Sequence, residues 1–122
     1  MSKVKQVLII RKDLKMRRGK EISQAAHASN EFLLNIAFYG TPVDEDTLRW
    51  VKEGITKITV TVDSLEHLMS LHKQASEAGL KSNFIEDEGV TEFHNIPTIT
   101  CLAIGPNTAE EIDKITGNLK LY

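Results

Sequence analysis

Two short stretches carry side chains whose types and spacing could do chemistry. In "GKEISQAAHAS", residues 19–29, Lys20, Gln24 and His27 recur at four- and three-residue intervals. Lys15, Arg17, Arg18 and Lys20 surround what reads as the start of a helix, where free backbone N–H groups and the helix dipole favour an anion such as phosphate. In "IEDEGVTEF", Glu86, Asp87 and Glu88 run into Gly89 and Thr91 at the end of a strand. Adjacent carboxylates are a common solvated turn, but strand ends beside a helix N-terminus are also where sites form in α/β sheets. An acidic loop beside a basic helix start makes a mixed-charge cleft.

Unrolling the helix sharpens the first stretch. At about 100° per residue with Lys20 at zero, Gln24 falls at roughly 40°, His27 at roughly 340° and Glu31 at roughly 20°, while Ile22, Ala25, Ala26, Phe32, Leu33 and Ile36 spread around about 180°. The spacing predicts a core stripe on one side and a polar line of Lys20, Gln24 and His27 on the other. Periodicity leaves two readings of that line open. It is a working face, or a solvated one laced by pairs such as His27 with Glu31, each worth about a few tenths of a kcal/mol.

Charge bears on the partner. The net charge is −2, yet the first 20 residues hold eight Lys/Arg against Asp13 alone, a local +7, and the other 102 residues carry −9. A basic cluster on an otherwise acidic domain points to a local anionic ligand and away from non-specific coating of DNA. Other chemistries fail on residue type. A Walker phosphate loop needs glycine where Leu14 stands and Ser or Thr where Glu21 stands. His27, His67, His72 and His94 make no metal-ligand spacing, so no metal is expected. Cys101, the single cysteine, permits no internal disulfide and reads as a small buried side chain within "TITCLAIG". No apolar run approaches a membrane span or follows a signal-peptide plan, which reads as a soluble protein of a reducing compartment.

The elements that must hold these residues are visible as periods. "KQVLIIR" reads as a buried central strand, followed by a basic loop and a helix over 19–39 that stops at Gly40. A shorter helix is expected over about 42–53 with Thr41 as N-cap, then an alternating strand "KITVTV". The capping box "DSLE" at 63–66 opens a helix running to Gly79. "LKSNFI" and "TITCLAIG" are strands joined by "EDEGVTEFHNIP", and Thr108 caps a last short helix. The order β-α-(α)-β-α-β-β-α predicts one α/β domain over residues 1–122. It has a mixed four-stranded sheet with helices packed on its faces, at least two right-handed crossovers and a terminal antiparallel hairpin.

Together these residues resemble the archaeal and eukaryotic type of peptidyl-tRNA hydrolase. "LKMRRGKEISQAAHAS" is similar to that family's Lys-x-x-x-Gln-x-Ala-His-Ala signature after a basic turn, matched here by Lys20, Gln24, Ala26, His27 and Ala28. "GLKSNFIEDEGVTEF" is similar to its Gly-Leu strand and Asp-x-Gly-x-Thr loop (Asp87, Gly89, Thr91), and "TITCLAIGP" and "IDKITGNLKLY" continue the likeness. The resemblance implies a homodimeric cytoplasmic enzyme that hydrolyses the ester joining a peptide to the 3′ end of tRNA, recycling tRNA for translation. It implies no metal or organic cofactor. Lys20, Asp87 and His27 take catalytic roles, Gln24, Thr91 and Thr98 bind substrate, and Lys15, Arg17 and Arg18 meet tRNA phosphates. On that reading Asp87 orients or deprotonates a water and Lys20 supplies positive charge near the tetrahedral oxyanion. Thr91 and Thr98 position by hydrogen bonds, and His27 acts on the substrate or fixes its neighbours.

The rival reading is a non-catalytic relative that keeps the fold to bind RNA or protein. Retention of Lys20, Asp87 and Thr91 together favours the enzyme. Two departures from the family pattern imply weaker binding or a different substrate. Glu92 replaces a neutral glutamine, and "HNIP" at 94–97 replaces a segment that normally ends in glycine before Thr98.

Overall fold

The computed structural model describes residues 3–89 and 93–122. In chain order these form β1 (Val4–Arg11), a 3-10 turn (Lys12–Leu14), α1 (Arg18–Tyr39), α2 (Glu45–Lys52), β2 (Lys57–Val62), α3 (Leu65–Glu77), β3 (Ser82–Asp87), β4 (Thr98–Thr108) and α4 (Ala109–Thr116). The strands make one sheet in the order β2-β1-β4-β3. β1 runs parallel to β2 and antiparallel to β4, and β3 runs antiparallel to β4. This is the mixed four-stranded sheet that the element order predicts, in a single α/β domain.

Alternation along the strands gives the sheet two faces. Val7, Ile9, Val60, Val62, Leu102 and Ile104 project to one face, where Leu68, Leu71 and Ala75 of α3 and Ile112 of α4 close an apolar cluster. Leu8, Ile10, Ile85, Cys101 and Ala103 project to the other, under Ala28 of α1. Gln6 shares that second face and is fully buried. Its Oε1 accepts from the Ser29 hydroxyl at 2.6 Å and its Nε2 donates to the Ser29 carbonyl at 3.1 Å, which ties the middle of α1 to the central strand.

Helix ends follow local chemistry, with two departures from the sequence-based expectation. Asp44, not Thr41, caps α2, its carboxylate accepting from the Thr47 N–H, so the helix starts at Glu45. Ser64 caps α3 by accepting from the His67 N–H at 3.0 Å, in place of Asp63. Thr108 caps α4 as expected, and α1 closes on Gly40 in the left-handed region, φ +72°.

The orientation of α1 overturns the expected core stripe. Glu21, Gln24, Ala28, Ser29 and Phe32 are its buried residues, whereas Ile22 is 63% and Leu33 40% exposed. The buried line is rolled by roughly 90° from the apolar one. Hydrophobic count alone fails here because each buried polar side chain of the helix has a waiting partner. Ser29 has Gln6, Gln24 has Thr100, and Glu21 accepts from the Tyr122 hydroxyl with Lys12 Nζ 3.8 Å away. A paired polar group can be buried at little cost, so the helix face is chosen by partners rather than by hydropathy.

Tyr122 reaches Glu21 because the last residues lie along β2. The Thr61 N–H donates to the Lys120 carbonyl at 2.9 Å and the Tyr122 N–H to the Thr59 carbonyl at 3.1 Å. Leu121 bridges Val60 in antiparallel sense.

Candidate active site

Lys20 lies in the first turn of α1 and Asp87 is the last residue of β3, and the fold brings them together. Lys20 Nζ stands 2.9 Å from Asp87 Oδ1, and each side chain is 16% exposed. The other carboxylate oxygen, Oδ2, accepts the Gly89 N–H at 2.9 Å. The Lys20 hydrogen bond holds the Asp87 carboxyl below the ordinary carboxylate range, against the opposing push of burial and with help from the Gly89 N–H. Asp87 is therefore ionised at neutral pH. Gly89 makes the tight turn possible: its φ is +83°, and a Cβ there would lie 2.3 Å from the Ile96 carbonyl oxygen.

This pair sits in a cavity of about 350 Å³ lined by Lys20, Gln24 and His27 from α1, by Ile85, Glu86 and Asp87 from β3, and by Glu88. Four of the residues singled out in the sequence thus share one site, on the mixed-charge cleft that the basic helix start and the acidic strand end predict. They are not equivalent within it. His27 is exposed at the rim, its Nε2 3.0 Å from Glu31 Oε1 one turn along. Gln24 is not on an open polar line. It is 7% exposed, and its Oε1 accepts from the Thr100 hydroxyl at 2.5 Å.

Thr98 pairs opposite Asp87 across the β3–β4 ladder. Its hydroxyl donates to the Ile96 carbonyl at 2.8 Å and it does not line the cavity. Thr91 and Glu92 lie outside the described residues. Lys15, Arg17 and Arg18 are exposed around the start of α1, Arg17 and Arg18 within three residues of Lys20 and Lys15 in the turn before the helix. Lys12, from the same basic run, is turned away to Tyr122, its Nζ 2.9 Å from the phenol oxygen and 4.2 Å from the ring centre.

Thr100 is the residue of this neighbourhood that the sequence did not mark out; a threonine one step along a strand from an apolar core position gives no signal of its own. Cys101 beside it is fully buried, and burial pushes its thiol up to about 12, which removes it as a nucleophile. Among the described residues no group of three or more His, Cys, Asp or Glu is placed to hold a metal ion. A larger groove of about 520 Å³ between α1 and strands β1 and β2 is lined by Leu8, Ile10, Ile22, Ala25 and Ala26 together with Arg18, Glu21, Thr59 and Tyr122. It lacks the Lys20–Asp87 pair.

The family described as peptidyl-tRNA hydrolase PTH2 matches residues 4–122. The chain belongs to this family. A peptidyl-tRNA hydrolase from Methanopyrus kandleri is 44% identical over 117 residues, covering 96% of this chain and 97% of the relative. One from Methanothermobacter thermautotrophicus is 43% identical over 120 residues, covering 97% and 99%. A solved structure of a protein of unknown function from Agrobacterium tumefaciens strain C58 aligns with a TM-score of 0.62 over 100% of this chain and 99% of that one. At 15% identity it speaks for the fold alone. The protein is an enzyme of the peptidyl-tRNA hydrolase family. No described helix is long and apolar enough to cross a membrane.

Proposed function

We propose that the chain hydrolyses the ester between peptide and tRNA at the cavity of Lys20 and Asp87, releasing free peptide and free tRNA. The observation that carries this reading is the 2.9 Å contact of an ionised carboxylate with an ammonium in a cavity at the foot of a basic helix start. Asp87 accepts a hydrogen bond from a water and aims its oxygen at the acyl carbon. As the carbon–oxygen bond forms, the carbonyl oxygen becomes an oxyanion, and Lys20 stabilises that charge. Collapse breaks the bond to the ribose oxygen of the tRNA 3′ end. Asp87 takes one proton from the water and returns it to that ribose oxygen, and the water's second proton passes to solvent as the peptide leaves as a carboxylate.

His27 stands at the rim and serves as a substrate contact, since Asp87 fills the base role. Thr98 holds the loop that faces Asp87 through its bond to the Ile96 carbonyl. Thr91 is assigned to the substrate by its place in the Asp-x-Gly-x-Thr motif. Lys15, Arg17 and Arg18 meet tRNA phosphates, so affinity should fall as salt rises. The substrate places the enzyme in the cytoplasm, where translation runs.

A homodimer is part of the proposal. It is supported by the groove between α1 and strands β1 and β2, where Ile22 lies uncovered at 63% exposure, and by Leu33, 40% exposed further along the helix face that hydropathy marks as core. A second copy would cover it. Light scattering on the parent and on Ile22→Glu tests this: a dimer that becomes a monomer supports it, and a monomeric parent ends it.

The reaction is tested with labelled N-acyl-aminoacyl-tRNA and free aminoacyl-tRNA, using the parent and Asp87→Asn. Release from the first substrate only, lost in the variant, is the expected result. Tight binding without release would return the chain to the non-catalytic rival.

A further inference from the structure

β4 contains one residue more than β3 across the site. Ile85 pairs with Cys101 and Glu86 with Ile99, so Thr100 stands unopposed in a bulge. Strict alternation would send Thr100 and Cys101 to opposite faces of the sheet. Both instead reach Gln24 on α1, the Thr100 hydroxyl at its side-chain Oε1 (2.5 Å) and the Cys101 thiol at its backbone carbonyl (3.1 Å).

The consequence is the direction of an amide. Thr100 is fully buried, so its hydroxyl proton needs an acceptor. The alternative to Gln24 Oε1 is the Cys101 sulfur at 3.9 Å, a weak acceptor. The hydroxyl therefore donates to the amide oxygen, which turns the amide NH2 of Gln24 the other way. Among the described residues no buried side-chain nitrogen or oxygen lacks a partner, and Nε2 of Gln24 has no hydrogen bond among them, so it keeps access to solvent. Gln24 lines the cavity that holds Lys20 and Asp87.

We propose that Thr100 is a positioning residue for catalysis: its hydroxyl fixes the Gln24 amide with the NH2 facing the cavity, as a second, neutral donor to the acyl oxygen beside Lys20. The proposal rests on reading that cavity as the active site. A flipped amide would present its oxygen to the developing oxyanion, so the bulge sets the sign of the dipole that the transition state meets.

Thr100→Val removes the hydroxyl at nearly constant volume and should lower kcat about tenfold with KM changed less than about twofold, a partial loss of one oxyanion donor. Thr100→Ser should restore the rate. Combined with Gln24→Ala, Thr100→Val should slow the enzyme no further than Gln24→Ala alone, because the hydroxyl acts through that amide. Gln24→Glu keeps the acceptor for Thr100 but replaces the donor by a charged oxygen, and should abolish most of kcat at an unchanged melting temperature; it tests the idea even if Thr100→Val folds poorly. Parent-like kcat in Gln24→Glu, or multiplying losses in the double variant, overturns the proposal. If Lys20→Ala and Asp87→Asn also hydrolyse substrate at the parent rate, the active-site reading itself has failed. If they are slow while Gln24→Glu is not, only the inference has.

Discussion

On the face of the sheet covered by α3 and α4, the core is aliphatic, and the one buried polar side chain that these helices bring, Thr116, bonds only the carbonyl of Ile112 in its own helix. On the face covered by α1, the buried residues include Gln6, Glu21, Gln24, Ser29 and Thr100, and the apolar members are fewer and smaller. The central strands β1 and β4 supply both, and the difference lies in what the covering helix brings. α3 and α4 bring leucine, isoleucine and alanine, which gain from leaving water whatever they touch. α1 brings polar groups that tolerate burial only against named partners, so it is held in one rotation and one register. That is a poor way to gain stability and a good way to place a lysine, an amide and a carboxylate to within a few tenths of an ångström.

The comparison predicts a division of effects. Lys20→Ala, on the α1 face, should lower kcat/KM by about 100- to 1000-fold, ~3–4 kcal/mol of transition-state stabilisation, with a smaller loss of stability from the unpaired Asp87 carboxylate. Lys20→Met should in addition shift the pH dependence. In the parent the Asp87 carboxyl titrates below its ordinary value of 3.8 because Lys20 is bonded to it. It thus stabilises the fold above that value, and the contribution fades as pH falls through the lowered one. Without Lys20, burial is left to push the carboxyl up, so the acid limb of the pH–rate profile should move to higher pH; an unmoved limb would show that Asp87 is not the group being read.

Leu68→Ala, on the opposite face, should do the reverse, costing about 3 kcal/mol in denaturant unfolding while the folded fraction keeps its kcat. Ser29→Ala tests whether the polar network also carries fold. It strips a donor from the buried Gln6 amide and should cost about 1–3 kcal/mol. A loss near zero would mean that α1 is held by its apolar members alone. Smallest is Glu31→Gln, which breaks the exposed contact with His27 and should change stability by about 0.2–0.5 kcal/mol at most. A larger effect on rate than on stability would give that rim pair a part in substrate binding.

The same contrast explains what could be read from the chain beforehand. "KQVLIIR", "KITVTV" and the leucines of α3 announce themselves by period because burial on that face depends only on side-chain type. The rotation of α1 did not, because Glu21, Gln24 and Ser29 become acceptable core residues only when Tyr122, Thr100 and Gln6 are in place, and those lie 101, 76 and 23 residues away. Lys20 and Asp87 were legible as a basic helix start and an acidic strand end, and their motifs tied them to one family; their contact was not. Thr100 was hidden by the bulge, since counting by twos from Cys101 puts it on the wrong side. The α2 start shifted because Asp44 offers a charged cap three residues after Thr41.

The last three residues have a consequence for the protein in a crowded cell. β2 is an outer strand of the sheet, and such a strand offers a row of unpaired amides on which another chain can template. Here Lys120, Leu121 and Tyr122 occupy that row at Thr59, Val60 and Thr61. The polypeptide thus covers the middle of that edge with its own backbone, which leaves fewer amides of β2 open to pairing with another chain.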